Sequence, residues 1–153
     1  MPATRFDLVS HWYLPAPLDR VWAEIAAPEQ WPAWWRAVKR VELLREGDAA
    51  GIGAVRRLTW STALPYTIVI DTETTRIVPN RLIEGRATGE LNGGGLWTLA
   101  PVAEGTHVRY DWQVELQLSW QRALAPVLRP VFAWNHAVVM GWGEAGIRTR
   151  LGL

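Results

Sequence analysis

Residues Gln121–Leu153 read QRALAPVLRPVFAWNHAVVMGWGEAGIRTRLGL. At 3.6 residues per turn, Leu124, Leu128, Val131, Asn135, Val138, Trp142 and Ala145 fall on one stripe of a helix, apolar throughout except for Asn135. Pro126 and Pro130 interrupt its first part. An interior proline removes a helix hydrogen bond, so the spacing predicts an uninterrupted helix from near Pro130, where proline suits the first turn, behind a broken lead-in. Arg148 and Arg150 stand in the last turn, where cations favour the helix C-terminus, and Gly152 follows as a stop. A long terminal helix with one apolar stripe needs a large apolar surface to lie on.

The preceding residues read as that surface. Thr4–Leu14 alternates, with Phe6, Leu8, Ser10, Trp12 and Leu14 on one face, and is strand one. Pro15 and Pro17 end it. A short helix from about Asp19 carries Val21, Trp22, Ile25 and Ala26 until Pro28, and a second helical turn holds Trp31, Trp34 and Trp35. Five strands follow: Val38–Glu46, Ala54–Ser61, Tyr66–Val78, Arg81–Glu90 and Leu96–Pro101, with Asn92-Gly93-Gly94-Gly95 read as a hairpin turn. Strand seven alternates most cleanly. Val108, Tyr110, Trp112, Val114 and Leu116 line one face, and His107, Arg109, Asp111, Gln113 and Glu115 the other, the pattern of an antiparallel sheet with one buried face.

The order is a strand, two short helices, six strands in meander and a long helix. This predicts an α+β domain over residues 1–153, a curved antiparallel sheet of six to seven strands wrapped around the terminal helix. Such an arrangement leaves a hollow suited to an apolar ligand. With 153 residues, 49% hydrophobic and 20% charged, the chain is large enough to bury a substantial core. A net charge of +1 gives no reason to expect nucleic acid. The absence of cysteine excludes disulfides and thiolate chemistry. No segment has the length to insert in a membrane and no signal-peptide pattern opens the chain, so a cytoplasmic protein is expected. Eleven tryptophans against two phenylalanines suit either a cavity wall or a core.

Several segments together resemble the START / polyketide-cyclase-like superfamily (SRPBCC), and more specifically its bacterial polyketide cyclase/dehydrase-like members. They are Pro17-Leu18-Asp19-Arg20-Val21-Trp22, Trp31-Pro32-Ala33-Trp34-Trp35, Leu58-Thr59-Trp60, Leu64-Pro65-Tyr66, Glu84-Gly85, Leu96-Trp97, Thr106–Trp112, Arg129-Pro130-Val131-Phe132, Trp134-Asn135-His136 and Val139-Met140. The resemblance implies the helix-grip fold. Its known members include lipid carriers, hormone receptors and aromatase/cyclases, so it points to a cavity more than to a reaction.

The candidate ligand-binding residues are Trp60, Tyr66, Trp97, Tyr110, Trp112, Val131, Asn135, Val138 and Trp142. The aromatic ones sit on the apolar faces of their strands, where they would stack on a flat ligand or pack as core. Asn135 breaks the helix stripe, either as a polar hook for a ligand carbonyl or hydroxyl or as a buried amide bonded to nearby backbone. His136, about 100° further round, is expected at the sheet edge or in solvent. Arg56 shares parity with Leu58 and Trp60. It could face inward and pair with Glu84 or an anionic ligand, or reach water at a strand end. In strand five the small residues Ile83, Gly85, Ala87 and Gly89 are assigned inward, leaving Glu84 and Arg86 outward.

Three scattered histidines give no metal spacing, and no nucleophile motif or phosphate loop is present, so neither a cofactor nor a catalytic residue is assigned. The reading is binding of a small hydrophobic, aromatic or polyketide/lipid-like molecule by a monomer or homodimer. The alternative is a cyclase, aromatase or dehydratase using the same cavity, with Arg56, Glu84, Tyr66 and Tyr110 for proton transfer. A third role, partner docking, would need Trp31–Trp35 to be exposed.

Overall fold

The structure, a computed structural model, describes residues 5–65, 67–115 and 123–153. Seven strands, β1 (Arg5–Leu14), β2 (Val38–Arg45), β3 (Val55–Ser61), β4 (Thr67–Val78), β5 (Leu82–Gly89), β6 (Asn92–Val102) and β7 (Gly105–Glu115), form one antiparallel sheet in the order β1-β7-β6-β5-β4-β3-β2. Between β1 and β2 the chain crosses from one sheet edge to the other through α1 (Leu18–Ile25), a 3-10 turn (Pro28–Gln30) and α2 (Trp31–Trp34). The chain then meanders back until β7 pairs with β1. The long helix α3 (Ala125–Leu151) packs against β1, α1 and α2. The antiparallel sheet around a long terminal helix, read from the alternation, is therefore present, and with it the helix-grip fold that the resemblance implies.

Register carries one apolar face across the sheet. Val108 and Tyr110 of β7 stand opposite Trp12 and Ser10 of β1, and opposite Leu99 and Trp97 of β6. Trp97 continues to Ile83 of β5, and on the far side Ile70 of β4 stands opposite Leu58 of β3. The small face of β5 does turn inward: Ala87 is buried and Ile83 packs on the core, whereas Glu84 pairs with Arg76 on the outer face.

Three local expectations change. The Asn92–Gly95 run lies inside β6, and the turn sits at Glu90-Leu91. A side chain at Gly93 would collide with the backbone carbonyl of Gln113, and one at Gly95 would come within 2.5 Å of the Tyr110 hydroxyl. These glycines mark close approach within a sheet rather than a turn. The helix also runs unbroken through Pro130 from Ala125, with Pro126 in its first turn. The amide that Pro130 lacks would have bonded four residues back to that first turn, so only one bond near the helix start is lost.

The buried stripe of α3, finally, is rotated from the predicted one. Asn135, Val139, Met140, Gly143, Ile147 and Leu151 are buried, while Val131 and Ala145 are exposed. Glycine decides this. A Cβ at Gly143 would meet the rings of Trp12 and Trp35 at 2.7 Å, and one at Gly146 would collide with the Trp34 carbonyl. The helix approaches the tryptophans through its smallest residues, which a count of apolar residues passes over. At the C-terminus, Gly152 at φ 76° closes the helix, its N–H bonding to Thr149 O and that of Leu153 to Arg148 O.

Candidate functional site

Tryptophan fills the end of the interior under the C-terminal half of α3. The Trp35 ring lies 5.6 Å from Trp12, 5.5 Å from Trp34, 5.4 Å from Trp31, 5.2 Å from Trp60 and 6.0 Å from Trp97. Trp35 Nε1 donates to Val139 O at 2.9 Å and Trp12 Nε1 to Met140 O at 3.1 Å, so two buried indoles find partners on the helix backbone. Arg20 donates to Leu151 O, Arg148 to Tyr13 O, and Arg150 pairs with Glu24, tying the helix end to α1 and β1. Trp31, Trp34 and Trp35 are all buried, so this cluster is packing and offers no docking patch.

A second buried cluster, Phe6 and Val114 with Leu91, Trp112 and Phe132 against it, sits at the other end of β1 and β7. Between the two, the inward face stays partly exposed. Leu8 and Ser10 of β1, Gly95 of β6, Tyr110 and Trp112 of β7, and His136 of α3 are all half-buried, while Phe6, Trp12, Val108 and Val114 on either side are fully buried. The Tyr110 ring takes the place that a side chain at Gly95 would occupy. The rings of Trp112 and His136 each lie parallel to Tyr110 within 15°, with centroids 6.3 Å away, and Trp97 lies 4.2 Å from Tyr110 on its other neighbouring strand.

The polar groups around this belt divide unexpectedly. Asn135 is buried, but its Oδ1 accepts the Ala63 N–H at 2.9 Å, so it anchors α3 to the β3–β4 loop. His136, expected at the edge, is the group that faces the belt. Its Nε2 is buried and has no hydrogen-bond partner among the described residues. Burial drives its pKa from 6.5 down to about 4, so the ring is neutral at pH 7. Burial also raises the Tyr110 hydroxyl above its ordinary value and keeps it protonated. The signal for His136 was available: once Gly143 and Gly146 are counted as inward, the 3.6-residue period places residue 136 on the same face.

The remaining candidates are scattered. Trp60 and Trp97 belong to the tryptophan core, and Trp142 packs at its margin beneath the Arg36 guanidinium, 4.3 Å away. Val138 is half-buried and Val131 is exposed, turned away from the sheet. Tyr66, Leu116 and Ser119 lie outside the described residues. Arg56 has the inward parity expected of it, but its partner is Glu29 of the 3-10 turn, and Glu84 stands on the opposite face. Arg56, Glu84 and Tyr110 therefore share no site.

Two open concavities, of about 550 and 200 Å³, indent the outer face of the sheet, one over Arg86, Gly94 and Gln113 and the other beside Asp71 and Glu73. Among the described residues no three His, Asp or Glu gather in a way that could hold a metal, and no helix is long and apolar enough to cross a membrane.

Solved structures share this architecture. The di-domain ARO/CYC StfQ from the steffimycin biosynthetic pathway superposes with a TM-score of 0.72 at 15% identity, over 98% of this chain. This chain spans about half of that one, 53% of its length. The Zhui aromatase/cyclase from Streptomyces sp. R1128 gives 0.62 at 20% identity, covering 95% of this chain and 96% of its own. A START superfamily protein from Mycobacterium smegmatis gives 0.63 at 14%, covering 89% and 97%. At these identities the likeness is one of fold. No curated protein matches the chain. The family described as "Polyketide cyclase / dehydrase and lipid transport" matches residues 6–151, nearly the whole length of the fold above, and the chain belongs to that family.

Proposed function

We propose that the protein binds a small, flat, hydrophobic molecule of aromatic, polyketide or lipid-like character between the sheet and the N-terminal half of α3. The observation that carries this is the belt of partly exposed inward residues, Leu8, Ser10, Tyr110, Trp112 and His136, between two fully buried clusters. A core with no guest has no reason to stay accessible along its middle. Parallel rings at Tyr110, Trp112 and His136 suit a planar guest. Among the candidate residues, Tyr110 and Trp112 contact the guest in this reading, Asn135 holds the helix in place, and Val131 plays no part.

The test is mass spectrometry of an organic extract of the freshly purified protein, repeated on Trp112→Ala and Tyr110→Ala. A retained compound that both variants lose supports the belt as the site. Retention unchanged in both variants places the compound elsewhere and defeats the reading.

One observation favours the second reading, catalysis of a cyclase, aromatase or dehydratase type. A neutral imidazole, its buried Nε2 unpartnered among the described residues, stands beside a protonated phenol. His136 could accept a proton from a bound substrate while Tyr110 donates a hydrogen bond to an oxygen. Conversion of a fed linear poly-β-ketone into a cyclised or dehydrated product by the wild type but not by His136→Phe distinguishes this reading from simple carriage.

A further inference from the structure

The outward side of α3 carries a surface that neither the core nor the candidate site uses. Between Arg129 and Glu144 no residue is charged. The core takes one side of that stretch. On the opposite side Val127 is 66% exposed, Trp134 55% and Val131 39%, with Leu124 at 47% just before the helix. A helix at a protein surface ordinarily turns polar residues outward. Here positions 127, 131, 134, 138, 141 and 145 step alternately by four and three, the spacing of a helix-to-helix seam.

Gly141 is a separate observation. Gly143 and Gly146 are required by the tryptophans of this chain, but among the described residues a Cβ at Gly141 would meet nothing within 4 Å. Glycine weakens a helix interior, and no contact among the described residues needs the missing side chain at this position. A neighbour approaching from outside would.

We propose that the outer face of α3 docks antiparallel on the same face of a second copy of this chain, with the two-fold axis passing midway between Trp134 and Val138, level with residue 136. The seam is symmetric about that position. Val127 meets the partner's Ala145, Val131 meets the partner's Gly141, and Trp134 meets the partner's Val138, so a larger side chain faces a smaller one at each step. This is the self-complementarity that a two-fold interface requires. A lipid surface or an unrelated protein would set no such pairing. The strip runs only about 27 Å, at the small end of specific interfaces, so the dimer is weak and depends on concentration.

Sedimentation velocity on the full chain, from about 1 μM to about 1 mM, reads this directly. The expected result is a rise from monomer to dimer across that range. Trp134→Glu and Gly141→Leu each weaken association by at least about tenfold, with melting temperatures showing that both variants are folded. Because the chain has no cysteine, oxidation of a mixture of Val127→Cys and Ala145→Cys reports the pairing. Cross-linked heterodimers support the antiparallel seam, and efficient cross-linking of Val127→Cys with itself overturns it. A monomer at every concentration, or a dimer indifferent to Trp134→Glu, also overturns the proposal. So does a monomer that sediments with phosphatidylglycerol–phosphatidylcholine vesicles through Trp134, which would assign the face to lipid.

Discussion

Under the C-terminal half of α3, six tryptophans interlock and two of them donate to helix carbonyls. Under the N-terminal half, aromatic rings of similar size line a belt that stays partly exposed. Both regions face inward and draw on the same residue classes. They differ in what opposes the rings. Gly143 and Gly146 let the helix settle onto Trp12, Trp34 and Trp35, whereas the larger Phe132 and His136 stand against Phe6 and Tyr110. Aromatic content alone therefore does not distinguish core from cavity. The size of the opposing residue does.

The sharpest way to break this contrast is to truncate one ring on each side. Trp35→Ala is expected to cost about 3–5 kcal/mol by chemical denaturation, as buried Trp truncations do. Trp112→Ala, at a half-buried ring, should cost less than about 2 kcal/mol and act mainly on ligand retention. Equal losses would mean that the belt is ordinary core. The helix glycines come next. Gly146→Ala should destabilise by about 1–3 kcal/mol through overpacking, while Gly141→Ala should stabilise the monomer by up to about 1 kcal/mol. If Gly146 tolerates alanine, close helix approach is not what excludes space at that end.

The two polar neighbours sharpen the contrast further. Asn135→Ala leaves the Ala63 amide unsatisfied and should cost about 1–3 kcal/mol with ligand retention unchanged. His136 should show itself through pH. Its folded pKa of about 4 lies below the ordinary value of 6.5, so the unfolded chain binds more protons between these limits. Stability contributed by the neutral ring is full above pH 6.5 and declines as the pH falls, by about 1 kcal/mol between pH 6 and 5. His136→Phe should remove that limb of the stability curve, and its persistence would show that the ring is not held neutral by burial. The smallest effect is expected on the outer face. His11 Nδ1 lies 2.9 Å from His107 Nε2, yet His11→Ala, on an exposed surface, should stay within about 0.5 kcal/mol of wild type.

The strands were legible because alternation such as Val108, Tyr110, Trp112 and Val114 has one physical cause, a sheet with a dry face. The rotation of α3 was not. Val131 and Ala145 look like core by hydrophobicity, and the helix is apolar on both sides over its middle, so the stripe could be placed on either. The residues that break the tie are glycines, whose contribution is the space they leave. The same blind spot turned Gly93–Gly95 into a turn, and it exchanged the roles of Asn135 and His136, since a one-residue rotation moves the helix face by 100°.

The interlocked indoles have an optical consequence. With Trp12, Trp31, Trp34, Trp35, Trp60 and Trp97 at centroid separations of 5.2 to 6.4 Å along the chain of contacts, their excited states couple, and the far-ultraviolet dichroism of the folded protein contains an exciton band in addition to the helix and sheet signals. That band reports the fixed geometry of one half of the interior and vanishes when its packing loosens, even where the backbone stays helical. A dichroism spectrum taken at face value would misstate the helix content, whereas its difference from that of Trp35→Phe would isolate the order of the tryptophan cluster.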